Sequence, residues 1–571
     1  MDLDRRTFLK SAGVASVAAL GLSGCSPAGE SSSSAEGETS HSFNGLITEE
    51  DFAESLAVIE PISDFAEEKT YDIVVVGAGV AGMPAVLTAL EEGVSVCCLQ
   101  RESEASANGN YESAIILEES DDAGILEWMQ AMRNTNAHRV NWDLLRYFAY
   151  HSGETLCWLD KIADEINWPA DIFTPRPLRE YRLGKLAYYC HAWKSNDALC
   201  KRLAEYATEK GADMFYETPG VQLIQDSEGA VIGVIGQDSS GYIKFNANKG
   251  VILATGDYEC NRSLLSKYLP DGVKFDAIQF NRTGDGHLMA VNAGGRMIDS
   301  PHCRQFHDVY AVPFSASGTP LLSVRPSGKR FMNEDTQMEL WNEMLRFAKP
   351  DEEAGVFYRF FDSACESKYP DSMNLDQLKN YIVGQQITQE ECADVPYEPS
   401  LTALYKADTI EELVEQFGID GAEFAKTLTT WNEATEQGFD AEFGLDPSLL
   451  KTIDTPPYYG IAQHVRIIAT NAGIEVDENY QAVDNNDKPI PGLFVVGTTG
   501  GAVSGCPDWV MDGGVSNGHC QTSGRYAAIY AATGGYKPSK PVSWDEVKDK
   551  YAAVSDQVKY GSPSGAMVDT E

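Results

Sequence analysis

The chain has 571 residues, of which 86 are Asp or Glu and 44 are Lys or Arg, so its formal charge is −42. So strong an acidic balance argues against nucleic-acid binding and against attraction to an anionic bilayer. The length suits two or three domains around a large core. The 12 cysteines show no CxxC or CxxCH spacing, so we expect no metal site, although a cluster built from distant cysteines stays open.

The N-terminus has the pattern of an export signal. Arg5–Arg6 and the following TFLK resemble a twin-arginine signal, and the apolar stretch from Val14 to Leu22 is too short to remain as a membrane-spanning helix. Leu22–Ser23–Gly24–Cys25 resembles a lipobox. We therefore predict export, a lipid anchor at Cys25 and a location on the outer face of the cytoplasmic membrane; a chance basic N-terminus is the alternative. Residues 26–68 read as a Ser-rich and then acidic linker.

Residues 71–101 have the pattern of a βαβ unit with a glycine turn. Ile73 to Val76 form a short apolar run typical of a buried parallel strand, and Val94 to Leu99 form a second one. Between them, a GxGxxG spacing leads into a predicted helix from Ala81 to Leu90. Such glycines permit a tight turn and a close approach to a pyrophosphate at the helix N-terminus. We predict dinucleotide binding through Gly77, Ala78, Gly79, Ala81 and Gly82; a glycine turn without a ligand is the alternative.

The second strand of this unit is followed by Gln100 and Arg101. A carboxylate is usual at this position, where it binds the ribose hydroxyls. A glutamine oxygen still accepts such a hydrogen bond, but more weakly than a carboxylate does. We therefore keep Gln100 and Arg101 as predicted cofactor contacts.

Later turns are predicted to extend the cofactor site. The segment NGNYESA places Gly109 and Asn110 in a turn, for which an ordinary turn is the alternative. The buried strand from Gly250 to Ala254 leads into Thr255–Gly256, and Thr283 to Gly286 form a TGDG turn before a short helix. The contacts predicted from this part of the chain are Gly109, Asn110, Val221, Ala254, Thr255, Gly256 and Asp285.

Two helical stretches are predicted between these turns. Trp128 to Ala163 carries Trp and Leu at helical spacing, which we interpret as core, and Asn196 to Gly211 is amphipathic. Short strands follow, separated by turns rich in Gly, Ser and Asp. Together with the glycine turns, they form the first part of a predicted nucleotide-binding domain over residues 69–300.

Residues 301–455 differ in character from the rest of the chain. They hold scattered helices, aromatics and acids without a strand–glycine–helix pattern, so we predict an inserted domain over the cofactor. Residues 456–540 return to the nucleotide-binding domain, with a strand and turn from Pro491 to Gly497 and a helix from Asp512 to Ala532. The N–H groups at the start of that helix should face an anionic or electron-rich ring edge. The predicted contacts are Gly497, Thr498, Gly514, Ser516 and Asn517. Residues 541–571 read as a peripheral tail.

Eight motifs in order carry a family resemblance: the GxGxxG turn, NGN, ATG, TGDG, SGKRFMNE, PPYY, IPGLFVVG and GGVSNG. Over residues 70–535 the chain resembles the fumarate reductase/succinate dehydrogenase flavoprotein family, nearest to fumarate, urocanate and related enoate reductases and to 3-ketosteroid dehydrogenases. The resemblance implies non-covalent FAD in a Rossmann-like α/β domain that is split in sequence, beneath an inserted α+β capping domain. It also implies hydride transfer between flavin N5 and an activated C=C bond, with a protein acid handling the proton.

Only some of the family's substrate-binding residues have counterparts in this sequence. Its carboxylate-binding His falls at Ala469, and its carboxylate-binding Arg falls near Asp508. Its proton-donor Arg falls near Cys365, although Arg359 is close enough for a gap to restore it. The catalytic tyrosine of the ketosteroid dehydrogenases falls near Val510, so their proton scheme does not transfer. Because a dicarboxylate needs buried cations, each bond contributing roughly 1.5–3 kcal/mol, we predict a neutral or mono-anionic, more apolar substrate.

Candidate acids come from the same resemblance. His307 matches the histidine of the family's HPT segment, and Glu334 matches an acid of the proton-delivery path, although the arginine expected just after it is missing. The candidate catalytic residues are His307, Arg304, Tyr310, Glu334 and Arg359. For each of them an ordinary core or surface residue is the alternative.

The resemblance leaves three functions open. The first is an exported FAD-dependent reductase of an activated C=C bond in an enoate or enone, supplied with electrons by a quinol or cytochrome partner, because no second GxGxxG is present for NAD(P)H. The second is the same site working in reverse, as a dehydrogenase that introduces a C=C bond. The third is a non-catalytic electron relay, against which the large inserted domain argues, since a relay needs an exposed flavin edge.

Overall fold

The computed structural model describes residues 42–43, 47–48, 60–109, 111–136, 138–168, 172–174, 179–193, 195–277, 281–299, 302, 304–307, 318–336, 340–346, 354–378, 404–501, 503 and 513–552. The predicted export signal at residues 1–25 lies outside these ranges. So do Asn110, Tyr310 and Asp508.

The strands are short except for those at the centre of the main sheet. In chain order they are β1 Ser42–Phe43, β2 Ile47–Thr48, β3 Glu67–Val76, β4 Val96–Leu99, β5 Tyr111–Ile115, β6 Ile172–Thr174, β7 Arg179–Glu180, β8 Lys185–Leu186, β9 Tyr188–Ala192, β10 Asp213–Phe215, β11 Gly220–Gln225, β12 Val231–Asp238, β13 Gly241–Leu253, β14 Arg304–His307, β15 Leu322–Val324, β16 Val356–Asp362, β17 Leu404–Ala407, β18 Tyr458–His464, β19 Arg466–Thr470, β20 Gln481–Val483 and β21 Pro489–Val495.

The longest helices lie against the main sheet and in the inserted segment. In chain order the helices are α1 Gly82–Glu91, α2 Asp122–Thr135, α3 Trp142–Glu165, α4 Asn196–Glu209, α5 Arg262–Tyr268, α6 Asp285–Asn292, α7 Trp341–Leu345, α8 Cys365–Lys368, α9 Leu375–Leu378, α10 Ile410–Phe417, α11 Gly421–Gln437, α12 Val515–Thr533 and α13 Lys548–Ala552. No helix within the described ranges combines the length and the apolar character needed to cross a bilayer.

The main sheet has the strand order β10-β4-β3-β13-β12-β11, and β21 joins it through β13. The pairs β10–β4, β3–β4, β3–β13 and β13–β21 are parallel, whereas β11 and β12 run antiparallel to their neighbours. Ile73 to Val76 are buried, as expected for a parallel strand covered on both faces. This is the predicted α/β class, and it brings the carboxyl ends of β3, β13 and β21 to one edge.

An ion cluster fixes α12 behind this sheet. Arg525 is fully buried, with Nη2 2.8 Å from an oxygen of Glu154 on α3 and Nη1 2.9 Å from an oxygen of Glu91 on α1. Its guanidinium lies 4.1 Å from the centre of the Trp158 ring. Because a planar guanidinium binds both carboxylates and stacks on the indole at once, it joins three helices at a single point.

A second, antiparallel sheet forms the core of the inserted segment, in the order β15-β16-β18-β17. Side chains alternate along β16: Tyr358 and Phe360 belong to the core of this unit, whereas Phe357 belongs to the main core of the molecule. Arg359 projects to the same side as Phe357 because successive strand residues face opposite ways. We call this unit the cap; its sheet lies over the nucleotide-binding domain with Arg359 on the inner face.

Two boundaries differ from the sequence expectation. The stretch predicted as one helix from Trp128 to Ala163 is divided into α2 and α3, because the Asn141 side chain accepts hydrogen bonds from the first N–H groups of α3 and so starts a new helix. The strand β18 pairs with β16 and β17 in the cap sheet, although residues 456–540 were assigned to the nucleotide-binding domain.

The end of the described chain also differs from the prediction of a peripheral tail. Trp544 and Tyr551 are buried, and their rings pack against Tyr189 at centroid distances of 5.0 and 5.3 Å. The Tyr551 hydroxyl donates a hydrogen bond to the buried Asp160 on α3. Hydrophobic and hydrogen-bonded anchors therefore attach residues up to 552 to the main core.

Candidate functional site

Three turns meet at the carboxyl edge of the main sheet. The N–H of Gly77 donates to the Leu99 carbonyl at 2.7 Å, and the N–H of Ala254 donates to the Val76 carbonyl at 2.8 Å. The N–H of Val496 donates to the Leu253 carbonyl at 2.9 Å. The predicted turns after β3, β13 and β21 therefore form one continuous surface, which is where ligands bind in open parallel sheets.

The glycine turn after β3 is packed too closely for side chains. A Cβ on Gly82 would lie 1.8 Å from the Gly77 carbonyl oxygen, and one on Gly77, whose φ is +105°, would lie 2.4 Å from the Ala254 carbonyl oxygen. Helix α1 begins here without a side-chain cap and without an acidic residue in its first turn. Within α1 the Met83 N–H donates to the Gly79 carbonyl at 3.0 Å and Pro84 has no N–H. Binding of a pyrophosphate at this turn therefore depends on the backbone of the glycine turn itself, and it stays a prediction.

Gln100 and Arg101 hold neighbouring loops. The Gln100 side-chain oxygen accepts the N–H of Ala78 at 3.0 Å, so it supports the glycine turn directly. Arg101 donates to Thr283 Oγ1 at 2.9 Å and to Asp285 Oδ2 at 3.2 Å. Burial raises the pKa of the Asp285 carboxyl, and the adjacent guanidinium opposes that rise. The structure thus brings these predicted contacts together, and their binding of the ribose stays a prediction.

The other predicted contacts lie along the same edge. The Thr255 and Thr499 hydroxyls are 3.2 Å apart, and Thr499 donates to the Gly256 carbonyl. Val221 lies on β11 beside Gly220. A Cβ on Gly220 would lie 2.9 Å from a methyl carbon of Val76, at the end of β3. Val221 and Ala254 are nearly buried, so they offer backbone and small apolar contacts rather than charge.

The N-terminus of α12 is the second helix start at this edge. Gly514 has φ +87° and a Cβ there would lie 2.5 Å from the backbone of Glu112 on β5. Gly109 approaches Asn517 so closely that a Cβ on it would lie 2.6 Å from the amide nitrogen. The NGN turn and the start of the GGVSNG helix are far apart in sequence but adjacent in the fold. Both contain residues predicted to contact the cofactor. The uncapped N–H groups of α12 face the same region.

A small cavity lies beside this helix start, lined by Asn471, Gly497, Thr498, Gly501, Val503, Ser516 and His519. The Ser516 hydroxyl and the Asn471 side-chain oxygen are 3.3 Å apart. The Asn471 amide nitrogen, the Thr470 hydroxyl and both His519 ring nitrogens are buried, and none of them has a hydrogen-bond partner among the residues that the structure describes. Because buried polar groups in folded proteins are normally paired, these groups leave hydrogen-bonding capacity for a polar ligand at this position.

Sequence reasoning did not single out Asn471 and His519. Neither lies in a glycine turn, and a lone buried histidine reads as core from sequence alone. Thr498 and Ser516, by contrast, were predicted from the motifs around them, and they line the same cavity. The missed residues become visible only when β19 and α12 are placed side by side.

Two candidate acids lie on the strand that borders this region. Strand β14 pairs with β19, with Arg304 opposite Thr470 and His307 opposite Arg466. Their backbone positions are therefore next to the cavity residues that follow β19. The side chains of Arg304 and His307 lie outside the described part of the structure, as does Tyr310, so their roles stay predictions.

The other two candidate acids lie together in the cap. Ser323 on β15 pairs with Arg359 on β16, and the Ser323 N–H is 3.5 Å from Glu334 Oε1. Arg359 is buried, donates to the Thr319 carbonyl and lies with its guanidinium 5.1 Å from the centre of the Trp341 ring. Arg359 is thus a buried cation on the inner face of the cap sheet.

Glu334 belongs to a closed ion cluster that the sequence did not predict. Arg330 donates to both oxygens of Glu334, at 2.9 and 2.5 Å, and to both oxygens of Asp440, at 2.9 and 3.0 Å. All three side chains are buried. Burial raises the pKa of the Glu334 carboxyl and the Arg330 charge opposes that rise, whereas hydrogen bonds from Arg330 and the backbone hold the Asp440 pKa well below its usual range. Both carboxylate oxygens of Glu334 therefore accept hydrogen bonds from Arg330.

A further carboxyl group, Asp257, lies beside the cavity and was not predicted. Asp257 Oδ2 accepts the N–H of Thr470 at 2.9 Å, and the side chain is almost fully buried. Burial raises the pKa of this carboxyl to about 6, against the opposing charge of Arg282. In sequence, an Asp directly after the ATG turn resembles an ordinary turn residue, so nothing there distinguished it.

The fold and the site define an α/β dinucleotide-binding oxidoreductase with a cap over its cofactor edge. The sequence profile described as the FAD binding domain matches residues 72–507, and the chain belongs to that family. FAD is its cofactor, and the chain is an FAD-dependent oxidoreductase acting on CH–CH or C=C groups. The predicted fold class, cofactor and family resemblance are confirmed.

Relatives and solved structures agree with this assignment. The chain is 25% identical to a vinyl phenol reductase of Lactiplantibacillus plantarum, over 82% of this chain and 97% of that protein. It is 26% identical to a urocanate reductase of Eggerthella lenta, over 75% of this chain and 70% of that protein. The open conformation of a flavocytochrome c3 fumarate reductase shares its fold with a TM-score of 0.65 at 22% identity, covering 82% of this chain and 79% of that one.

Proposed function

We propose that this protein reduces an activated C=C bond in a substrate, an enoate or enone, that is neutral or carries one negative charge. The observation that supports the proposal is the end of β19. Ala469 provides no cation there, and the next residue, Thr470, donates its N–H to the buried Asp257 carboxyl at 2.9 Å. In the fumarate reductases that the chain resembles, a histidine at the Ala469 position binds a substrate carboxylate.

A dicarboxylate would be poorly bound beside this strand. Removing two carboxylates from water is costly unless each is paired with a cation. Among the side chains described at the end of β19, a second substrate carboxylate would meet the Asp257 carboxyl instead. In the cap, Arg330 is already neutralised by Glu334 and Asp440. Arg359 is a buried cation on the inner face and suits a single substrate carboxylate.

The residues that would hold FAD are those along the carboxyl edge. The uncapped start of α1 and the Gly77–Gly82 turn suit the pyrophosphate, and the cavity beside α12 suits the ring. Bound FAD supplies hydride exchange with a substrate carbon. The chain must then exchange a proton, and we assign that step to the inner side of the cap, at Arg359 or at the groups on β14. Glu334 is a weaker candidate because Arg330 occupies both of its oxygens.

We also propose that the protein works outside the cytoplasmic membrane, anchored through Cys25, and takes electrons from a quinol- or cytochrome-type donor. The export pattern at residues 1–25 supports the location. Relatives from Shewanella frigidimarina carry the name fumarate reductase (cytochrome), which supports a cytochrome-type donor.

An anaerobic assay with reduced viologen tests the substrate proposal. The panel contains an aryl acrylate, a vinyl phenol, an enone, fumarate and urocanate. We expect the mono-anionic or neutral compounds to exceed fumarate in kcat/KM by about 10- to 100-fold, which corresponds to one missing charge-assisted bond. Fumarate reduction as fast as that of the best mono-acid would refute the proposal. Flavin reduction by a saturated substrate, faster than the reverse reaction, would instead identify a dehydrogenase.

A further inference from the structure

The cavity beside α12 presents an ordered set of hydrogen-bonding groups. Ser516 and His519 lie three residues apart on α12, so their side chains share one face of the helix. Both line the cavity, and Asn471 lines it from the end of β19. The two sides of the cavity are therefore supplied by elements that the fold holds rigidly, since Arg525 fixes α12 to α1 and α3.

Several hydrogen-bonding groups of the residues that line this cavity remain unused within the described part of the chain. The Ser516 hydroxyl lies 3.3 Å from the Asn471 side-chain oxygen, so that oxygen has a partner and the amide NH₂ is left with its two donors. Both nitrogens of His519 are buried and have no hydrogen-bond partner within the described ranges, and the ring lies 5.9 Å from that of Tyr480. A neutral imidazole offers one donor and one acceptor. Together they match a ring edge on which acceptors and donors alternate, as on a flavin.

We propose that His519 and Asn471 hydrogen-bond the bound flavin ring and that the His519 donor raises its two-electron midpoint potential. Reduction adds electron density to the ring, so a fixed N–H donor stabilises the reduced form more than the oxidised form. The proposal rests on FAD binding by this site and is independent of the substrate.

The histidine acts here as a dipole and not as a cation. Burial lowers the pKa of His519 to about 4, so the ring stays uncharged near neutral pH. Removing a neutral donor from a charged or electron-rich partner costs about a factor of ten in binding. For a two-electron couple, a tenfold preference for one redox state corresponds to about 30 mV.

The test measures FAD binding and flavin potential without any substrate. His519→Leu removes the donor and keeps a buried side chain, whereas His519→Gln restores a donor. In the leucine variant we expect reduced FAD to lose about tenfold more affinity than oxidised FAD, so that the midpoint potential falls by about 30 mV. The glutamine variant should recover most of that difference. FAD affinity and potential are read by anaerobic titration of full-length, FAD-loaded protein.

The matched control is His151→Leu. This half-buried histidine lies on α3 among the rings of Tyr147 and Tyr526, at 4.2 and 4.6 Å, and its pKa is likewise lowered to about 4 by burial. Its replacement should leave the potential unchanged. Should His519→Leu fail to fold, Asn471→Ala removes the opposing donors and should also lower the potential. A potential unchanged in both variants, or an equal loss of affinity in both redox states, overturns the proposal.

Discussion

Burial decides the charge state of single residues in this protein. Asp160 on α3 is 1% exposed and accepts a hydrogen bond from the Tyr551 hydroxyl, and burial raises the pKa of its carboxyl to about 7. The ordinary pKa of an Asp is about 4. Between these values the folded chain holds the proton more tightly than the unfolded chain does. The free energy of unfolding therefore falls as pH rises from about 4 to 7.

Replacing Asp160 by Asn should remove this dependence. The amide cannot ionise, and its oxygen can still accept from Tyr551. Relative to the native chain, Asp160→Asn should gain up to about 1.4 kcal/mol of stability per pH unit between pH 5 and 7, with no further gain above pH 8. Urea unfolding of the FAD-loaded protein at a series of pH values measures this.

The control for that experiment lies one turn along the same helix. Asp164 is 62% exposed and pairs with Lys550 at 2.5 Å. Because exposed ion pairs contribute little, Asp164→Asn should change stability by less than about 1 kcal/mol. Parallel pH profiles for the native chain and Asp160→Asn would contradict the assignment of the slope to Asp160.

Which residues the sequence could identify depends on where their partners lie. Gly77 and Gly82 were predicted because the GxGxxG spacing between a strand and a helix is a local pattern. Asp257 was missed because its hydrogen-bond partner, Thr470, lies 213 residues further along the chain. Asn471 and His519 were missed because their unpaired buried atoms are recognised only after the chain has folded. Local spacing predicts the proposed phosphate-binding turn, whereas the proposed ring-binding residues are recognised only in the folded chain.

At the scale of elements, the cap depends on one arginine. Arg330 pairs with Glu334 and Asp440 inside the cap, and its guanidinium lies 4.9 Å from the centre of the Trp431 ring on α11. Removing one partner of a buried ion cluster leaves unpaired charges and costs about 3–5 kcal/mol. Arg330→Met should therefore destabilise the protein by that amount in chemical denaturation.

The neighbouring Lys329 supplies the comparison. Its side chain is 65% exposed and lies 3.5 Å from Glu423. Lys329→Met should change stability by less than about 1 kcal/mol. If the two variants unfolded at the same denaturant concentration, the buried cluster would contribute no more to the free energy of unfolding than the exposed ion pair does.

Elements with strong patterns were predicted well, and boundaries set by side chains were not. The apolar runs of β3 and β4 and the helix after the glycine turn appear within a few residues of their predicted positions. The break between α2 and α3 depends on a single capping residue, Asn141, within an otherwise helical composition. The membership of β18 depends on pairing with β16, which no local pattern encodes.

At the scale of the whole molecule, the proposed export signal at residues 1–25 makes a separate prediction. Replacing Arg5 and Arg6 by Lys should hold the protein in the cytoplasm, because the twin-arginine pair is a receptor-read address. Cys25→Ala should allow export but remove the lipid, so the protein should leave the membrane fraction. Cell fractionation with antibody detection measures both. Unaltered membrane attachment of Cys25→Ala would contradict the anchor.

The pairing of β13 with β21 has a consequence for biosynthesis. Val251 to Leu253 close the cofactor edge only when Leu493 to Val495 have aligned beside them, and the whole cap is made in between. A ribosome must therefore have released nearly all of the chain before the nucleotide has a complete binding surface, and such distant pairings form slowly. FAD is therefore expected to bind only after β21 has been synthesised, at a late stage of translation or after it.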